Sequence, residues 1–243
     1  MKKNKYPKVK FEIGSLEDNI EIIKEFYNDM KSNIKFLYEG INKNNIEEKV
    51  KEFYNNNQEL FEKNRKEYEK EWNKVSDDYF KYITELLNIN PKIKDITCYI
   101  LYIPTFPRDI HKNTFYVGTN MEKDFIISTI KHEITHFYWF KKFKELYKDI
   151  DDKEFDTPYI PWIYSEIVID PLIHEKAYDE FYELNYNGEN VMEHLRGIYN
   201  KNIKIEDKIK EGYDYIKEVY KEKENKWKNI NIINNIIFNN RVL

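Results

Sequence analysis

The stretch Phe125-Ile126-Ile127-Ser128-Thr129-Ile130-Lys131-His132-Glu133-Ile134-Thr135-His136-Phe137-Tyr138-Trp139-Phe140 decides how the rest of the chain is read. Continued to Tyr147, it has the periodicity of a helix. At 100° per residue His136 lies about 40° from His132, so the two imidazoles project from one face, a turn apart. Two histidines at this spacing can reach one tetrahedral metal, with the glutamate between them placed beside a metal-activated water as its base. On the same wheel Phe125, Trp139 and Phe143 fall near the histidines. Ile126, Ile127, Ile130, Ile134, Phe137 and Tyr138 cluster on the opposite side, with Lys131, Thr135 and Lys142 as a narrow polar strip between. A surface helix has one apolar stripe. This one has two, which predicts a central helix with one face on a sheet and the histidine face toward other helices.

Downstream, Pro161 fits the first turn of another helix. Trp162, Ile163, Ile167, Val168, Ile169, Leu172 and Ile173 make it apolar nearly all round, so it is expected to be buried, with Pro171 kinking or splitting it. That helix carries Glu166 and, one turn on, Asp170. A carboxylate in such surroundings is costly without a partner. Glu166 is therefore read as a third metal ligand, with Asp170 placed to accept the other ring N–H of a ligating histidine. His174 is a rival third ligand. The competing account of Glu166 and Asp170 is a buried polar network with lysines or tyrosines.

Working upstream, Ile96-Thr97-Cys98-Tyr99-Ile100-Leu101-Tyr102-Ile103 is β-branched and aromatic and reads as a buried strand ending at Pro104-Thr105-Phe106-Pro107. Thr114-Phe115-Tyr116-Val117-Gly118 reads as a second strand after a turn at Lys112-Asn113, with His111 on that turn. Near the start, Val9, Phe11 and Ile13 alternate with Lys8, Lys10 and Glu12, the pattern of a short strand. Ser15 with Asp18 then resembles a capping box opening a helix to about Glu39 that Gly40 ends. From Asn45 to Leu87 the pattern is helical and highly charged, broken at Asn55-Asn56-Asn57 and restarted at Ser76-Asp77-Asp78. This region is either a packed helical hairpin or an arm over a cleft. Lys148 to Pro158 is acidic and loop-like. The tail from Glu189 reads as two or three more helices, with Ile203, Ile205, Ile209, Tyr213, Ile216 and Tyr220 on one face.

The bulk composition is consistent with this outline. The 243 residues suffice for a sizeable core. Charged residues make up 35% and mean hydropathy is −0.83, yet aromatics reach 16%, more than a disordered chain carries. Only 6 Gly and 7 Pro argue against a loop-rich all-β protein. A formal charge of −4 offers no electrostatic case for nucleic acid. The single Cys98 forms no internal disulfide and cannot build a thiolate zinc site, so any metal uses His and carboxylates. No apolar run approaches a membrane span, and no apolar segment follows the basic start, so a cytoplasmic location without membrane contact is the default expectation. Oligomeric state is open.

His132-Glu-Ile-Thr-His136 followed by Glu166-x-x-x-Asp170 resembles the gluzincin, thermolysin-like branch of the zinc metallopeptidases. The likeness covers about 110 to 175 well and 92 to 110 more loosely, and the flanks match nothing. The resemblance implies one Zn2+ per chain held by His132, His136 and Glu166, with Glu133 activating water and Asp170 supporting a ligand histidine. It implies a peptide or protein substrate, pairing with an edge strand ahead of the metal helix at Asn113-Thr114-Phe115-Tyr116. It also implies an oxyanion-stabilising His or Tyr; His194 is the best-placed histidine, and Tyr159, Tyr164, Tyr178 and Tyr199 compete with it. The expected fold is α+β and predominantly helical. A zincin-like core with a small mixed sheet, a metal helix and a glutamate helix spans 91–185. A strand and helices precede it at 1–90, and a helical region follows at 186–243. A metal-binding pseudoenzyme, a non-peptide metal hydrolase, and a helical interaction protein with a chance motif are the alternatives.

Overall fold

The computed structural model describes residues 6–27, 41–102, 106–173 and 204–223. They divide into two compact units. One takes in Met1–Tyr82 and Asn90–Phe137, the other Ile83–Ile89 and Tyr138–Leu243.

The first unit is built on a four-stranded mixed sheet: β1 (Lys8–Ile13), β2 (Asp95–Leu101), β3 (Arg108–Asp109) and β4 (Thr114–Gly118), in the order β1-β2-β4-β3. β1, β2 and β4 run parallel and β3 is antiparallel to β4. The register stacks Phe11, Cys98 and Phe115 in one row and Ile13, Ile100 and Val117 in the next. Most of these side chains are fully buried, so this face of the sheet is core. On the other face Tyr99 stacks on Tyr116 at 5.3 Å, and Lys10 pairs with Asp95 at 3.3 Å in solvent. β2 is therefore fully buried on one face and partly on the other, where Thr97 and Tyr99 are half-buried and Leu101 is buried. Its aromatic and β-branched residues fill both faces, which hid the alternation in the sequence.

β1 leads into helix α1 (Leu16–Phe26) through the expected capping box: Ser15 Oγ accepts from the Asp18 N–H at 2.9 Å, and Asp18 accepts from the Ser15 N–H at 3.0 Å. The later part of the expected helix, to Glu39 and Gly40, lies outside the described residues. Two helices follow, α2 (Ile46–Asn56) and α3 (Gln58–Asn73), separated at Asn57 as the asparagine run suggests. Helix α4 (Ser76–Leu86) comes next, with Trp72 edge-on to Tyr79 and Phe80. α3 lies against β1 and β2 and buries Phe61, Asn64, Tyr68 and Trp72. Two of these fasten the turn that follows β4. Asn64 accepts from the Asn120 N–H at 2.8 Å, and the Tyr68 hydroxyl donates to the Gly118 carbonyl at 3.1 Å while accepting from the Met121 N–H at 2.9 Å. Burial pushes the Tyr68 phenol up to about 12, so it serves as a neutral hydroxyl. This turn launches the longest helix, α5 (Lys123–Leu146), whose Phe137 meets Phe115 of the sheet.

The second unit contains the end of α4, the later part of α5, a 3-10 turn at Asp152–Phe155, α6 (Ile160–Ile173) and α7 (Ile205–Lys223). The acidic loop is locally ordered: Asp151 and Glu154 form a second capping box, and Phe155 stacks on Phe140 at 4.5 Å. Trp139, Phe143, Tyr147, Tyr164 and Tyr213 form an aromatic cluster. α6 runs unbroken through Pro171, against the expected split. Ile205, Ile209, Tyr213 and Ile216 of α7 are buried as their spacing predicts. Ile203 and the side chain of Tyr220 lie outside the described residues.

The fold is thus mixed α/β and mostly helical, with a small four-stranded mixed sheet. Among the described residues no helix is long and apolar enough to cross a membrane. Tyr68→Phe removes the hydroxyl that joins Gly118 to Met121. It is expected to cost about 1–3 kcal/mol in urea unfolding, the range for leaving buried backbone groups unpaired.

Candidate metal centre

Every residue from His132 to Phe140 is buried. Of the polar strip expected along α5, Thr135 and Lys142 are buried and Lys131 is half-buried. Thr135 is fully buried, and its hydroxyl donates to the Lys131 carbonyl at 2.7 Å and meets the Tyr79 hydroxyl, which also reaches that carbonyl at 3.0 Å. Lys142 is buried too and pairs with Glu206 of α7, with the Asn88 carbonyl at 3.3 Å. Against the upward push of burial, Lys142 and Asn88 hold the Glu206 carboxyl below the usual carboxylate range. The strip is not a solvated seam. The Lys142 charge is met by Glu206, and Lys131 lies over the Tyr79 ring at 5.4 Å, partners far away in sequence that helical spacing alone does not show.

The two histidines face each other as the spacing requires. Their Nε2 atoms are 3.0 Å apart, close enough that one ring donates to the other. His132 is 4% exposed and His136 fully buried. Glu166, on α6 between the buried Ser165 and the half-buried Ile167, is half-buried itself, less enclosed than its apolar neighbours suggest. One ligand atom from each of His132, His136 and Glu166 lies within 4.8 Å of the other two, a cluster that can hold a metal ion. Ligands at about 2.1 Å around a tetrahedral zinc are roughly 3.4 Å apart, so the imidazole pair is near that spacing.

Glu133 stands outside this cluster, and its side chain is fully buried. Its Oε2 accepts from Arg108 Nη1 at 3.3 Å, while Oε1 makes no hydrogen bond among the described residues. It also lies close to β2: burial first, and then the Glu133 carboxylate, push the Cys98 thiol well above its ordinary range. Arg108 is the residue that sequence reasoning missed. It sits on β3, a strand of two residues with no periodicity to mark it. A signal was nonetheless present. Only four of the chain's 40 basic residues are arginine (65, 108, 196 and 241), so a chain that uses lysine nearly everywhere has an arginine here.

The remaining candidates fare differently. Asn113 turns with φ 53°, and its carbonyl accepts from the Thr97 N–H at 3.0 Å. Thr114 and Phe115 belong to β4, which is an interior strand, not the expected edge. β2 pairs with one side of it, and on the other Arg108 and Asp109 pair with Phe115 and Thr114. The next amide, from Tyr116, donates to the Pro107 carbonyl at 3.0 Å. The Phe115 ring is core. A strand with both sides engaged offers no ladder to a substrate backbone. Tyr164 spends its hydroxyl on the Ile209 carbonyl at 3.2 Å, and Tyr159 is 41% exposed. His111 is exposed on the turn between β3 and β4. His174, Tyr178, His194, Tyr199 and the side chain of Asp170 lie outside the described residues.

Set beside known proteins, the chain matches no family model, no curated protein and no solved structure.

An ion that binds the folded cluster stabilises it by mass action, about 2.7 kcal/mol at a hundredfold excess over Kd. Adding Zn2+ is expected to raise the thermal unfolding midpoint, and chelator to reverse the rise. Glu166→Ala should shrink it markedly. An unfolding midpoint indifferent to zinc speaks against the cluster as a metal centre.

Proposed function

We propose that the protein is a zinc-dependent hydrolase acting on peptide bonds, of the gluzincin kind. The observation that carries this reading is the meeting of His132, His136 and Glu166 ligand atoms, with Glu133 buried beside the two histidines on the same helix. Two imidazoles and one carboxylate are a donor set suited to catalytic zinc with an open position. Bound there, the ion supplies Lewis acidity toward a carbonyl and activation of water. His132 and His136 hold it from one face of a helix whose burial fixes their rotamers. Glu133 takes a proton at Oε1, its oxygen outside the arginine contact, and returns it to the leaving amine. The oxyanion donor is assigned to His194 or a tyrosine of the same region. Asp170 is assigned the support of a ligand histidine. A peptide or protein substrate and a cytoplasmic setting belong to the same reading.

One observation favours a second reading, a metal hydrolase for a non-peptide substrate. The strand assigned to the substrate backbone is interior, and the edge outside it is only two residues long.

Elemental analysis of the purified chain is expected to give about one zinc per chain, and much less in Glu166→Ala. Glu133→Gln should keep the zinc and lose hydrolysis by roughly 10²- to 10⁴-fold, the usual contribution of a positioned base. Full activity in Glu133→Gln overturns the assignment of the base. A zinc-loaded protein that cleaves no member of a peptide library selects the second reading. No zinc after its addition leaves a helical protein whose motif is a coincidence.

A further inference from the structure

Glu133 follows His132 directly on α5, yet its carboxylate is not grouped with the two imidazoles and Glu166. What it meets is Arg108, at 3.3 Å, with 9% of the arginine side chain and none of the glutamate side chain exposed. A buried ion pair of this kind is expensive to desolvate and is a poor general device for stability. The contact is also long and single. The strong form of an arginine–carboxylate pair is bidentate at about 2.7–2.9 Å. Elsewhere in the same chain Arg65 takes both oxygens of Glu62, at 2.7 and 2.9 Å, on a helix face open to solvent. At Glu133 the arginine takes Oε2 and leaves Oε1 without a hydrogen bond. That division suits a carboxylate that must be oriented and still have an oxygen to work with.

We propose that Arg108 is a positioning residue for the candidate metal centre. By holding Oε2, it keeps the Glu133 carboxylate out of the coordination shell of His132, His136 and Glu166, so that Oε1 is the working atom and the ion's fourth position stays open. The inference rests on the metal reading above. Without the guanidinium, a buried anion next in sequence to a ligand histidine would be drawn to the countercharge of a bound ion. Lysine carries the same charge on a compact, strongly hydrated ammonium, whereas the more weakly hydrated guanidinium is the cation suited to a buried pair, and this chain, which otherwise prefers lysine, has an arginine here.

The test uses full-length protein loaded with Co2+, whose visible absorption reports the number and type of ligands independently of activity. Glu133→Gln is nearly isosteric. The wild-type spectrum is expected to persist in it, because the carboxylate is outside the shell; a changed spectrum overturns the proposal. Arg108→Gln is expected to shift the spectrum as Glu133 joins the ligands, and the double variant Arg108→Gln/Glu133→Gln to restore the wild-type spectrum. An unshifted spectrum in folded, cobalt-loaded Arg108→Gln also overturns the proposal. Should Arg108→Gln fail to fold, the Glu133→Gln comparison decides alone. Cobalt bound by no variant, wild type included, refutes the metal reading itself and this inference with it. Cobalt bound at one per chain with unshifted spectra refutes only the role of Arg108.

Discussion

Helix α5 has no solvent face between His132 and Phe140, and most of the fold's polar engineering answers to that fact. Burying an imidazole, a carboxylate, a hydroxyl or an ammonium without a partner costs several kcal/mol each. α5 buries all four kinds within about three turns. Each is met by a residue from elsewhere in the chain or on the helix itself: Tyr79 at Thr135, Arg108 at Glu133, His132 and His136 at each other, Glu206 at Lys142. The apolar residues between them fill the remaining directions. Phe137 goes to the sheet, Trp139 and Phe143 to the aromatic cluster with Tyr164, and Phe140 to the 3-10 turn. Shifting this helix by one residue would break each of these pairings except that of the two imidazoles, which lies on the helix itself, so its register is set several times over.

Elements with a repeated signal were legible in the sequence alone. β1, β2 and β4 show runs of β-branched and aromatic residues, α1 opens on a capping box, and the asparagine run does separate α2 from α3. The two histidines could be placed on one face because helical geometry alone determines it. What escaped was whatever depends on a partner distant in sequence. A strand of two residues has no period, so β3 could not be seen, and with it went the true neighbour of β4 and the supposed substrate edge. Lys142 and Thr135 read only as part of a narrow polar strip, because a helical wheel shows which side chains share a direction and not what lies there. Pro171 was over-read. Within the described residues α6 continues through it to Ile173.

The metal reading and the ion pair can be weighed by the same electrostatic reasoning. With neutral imidazoles, the formal charges among the described side chains of the centre are those of Glu166, Glu133 and Arg108. Glu133 and Arg108 cancel, so the centre carries one net negative charge from Glu166. A divalent cation turns that into one net positive charge in a largely water-excluded place, and this suits attraction and polarisation of an electron-rich substrate atom. Were Arg108 neutral, the Glu133 carboxylate would stand as a second anion near a bound ion and oppose the field it presents to a substrate atom. On the metal reading the arginine would therefore do more than lower the cost of burying Glu133. It would offset that opposing field, from a residue outside the motif that first drew attention to this helix.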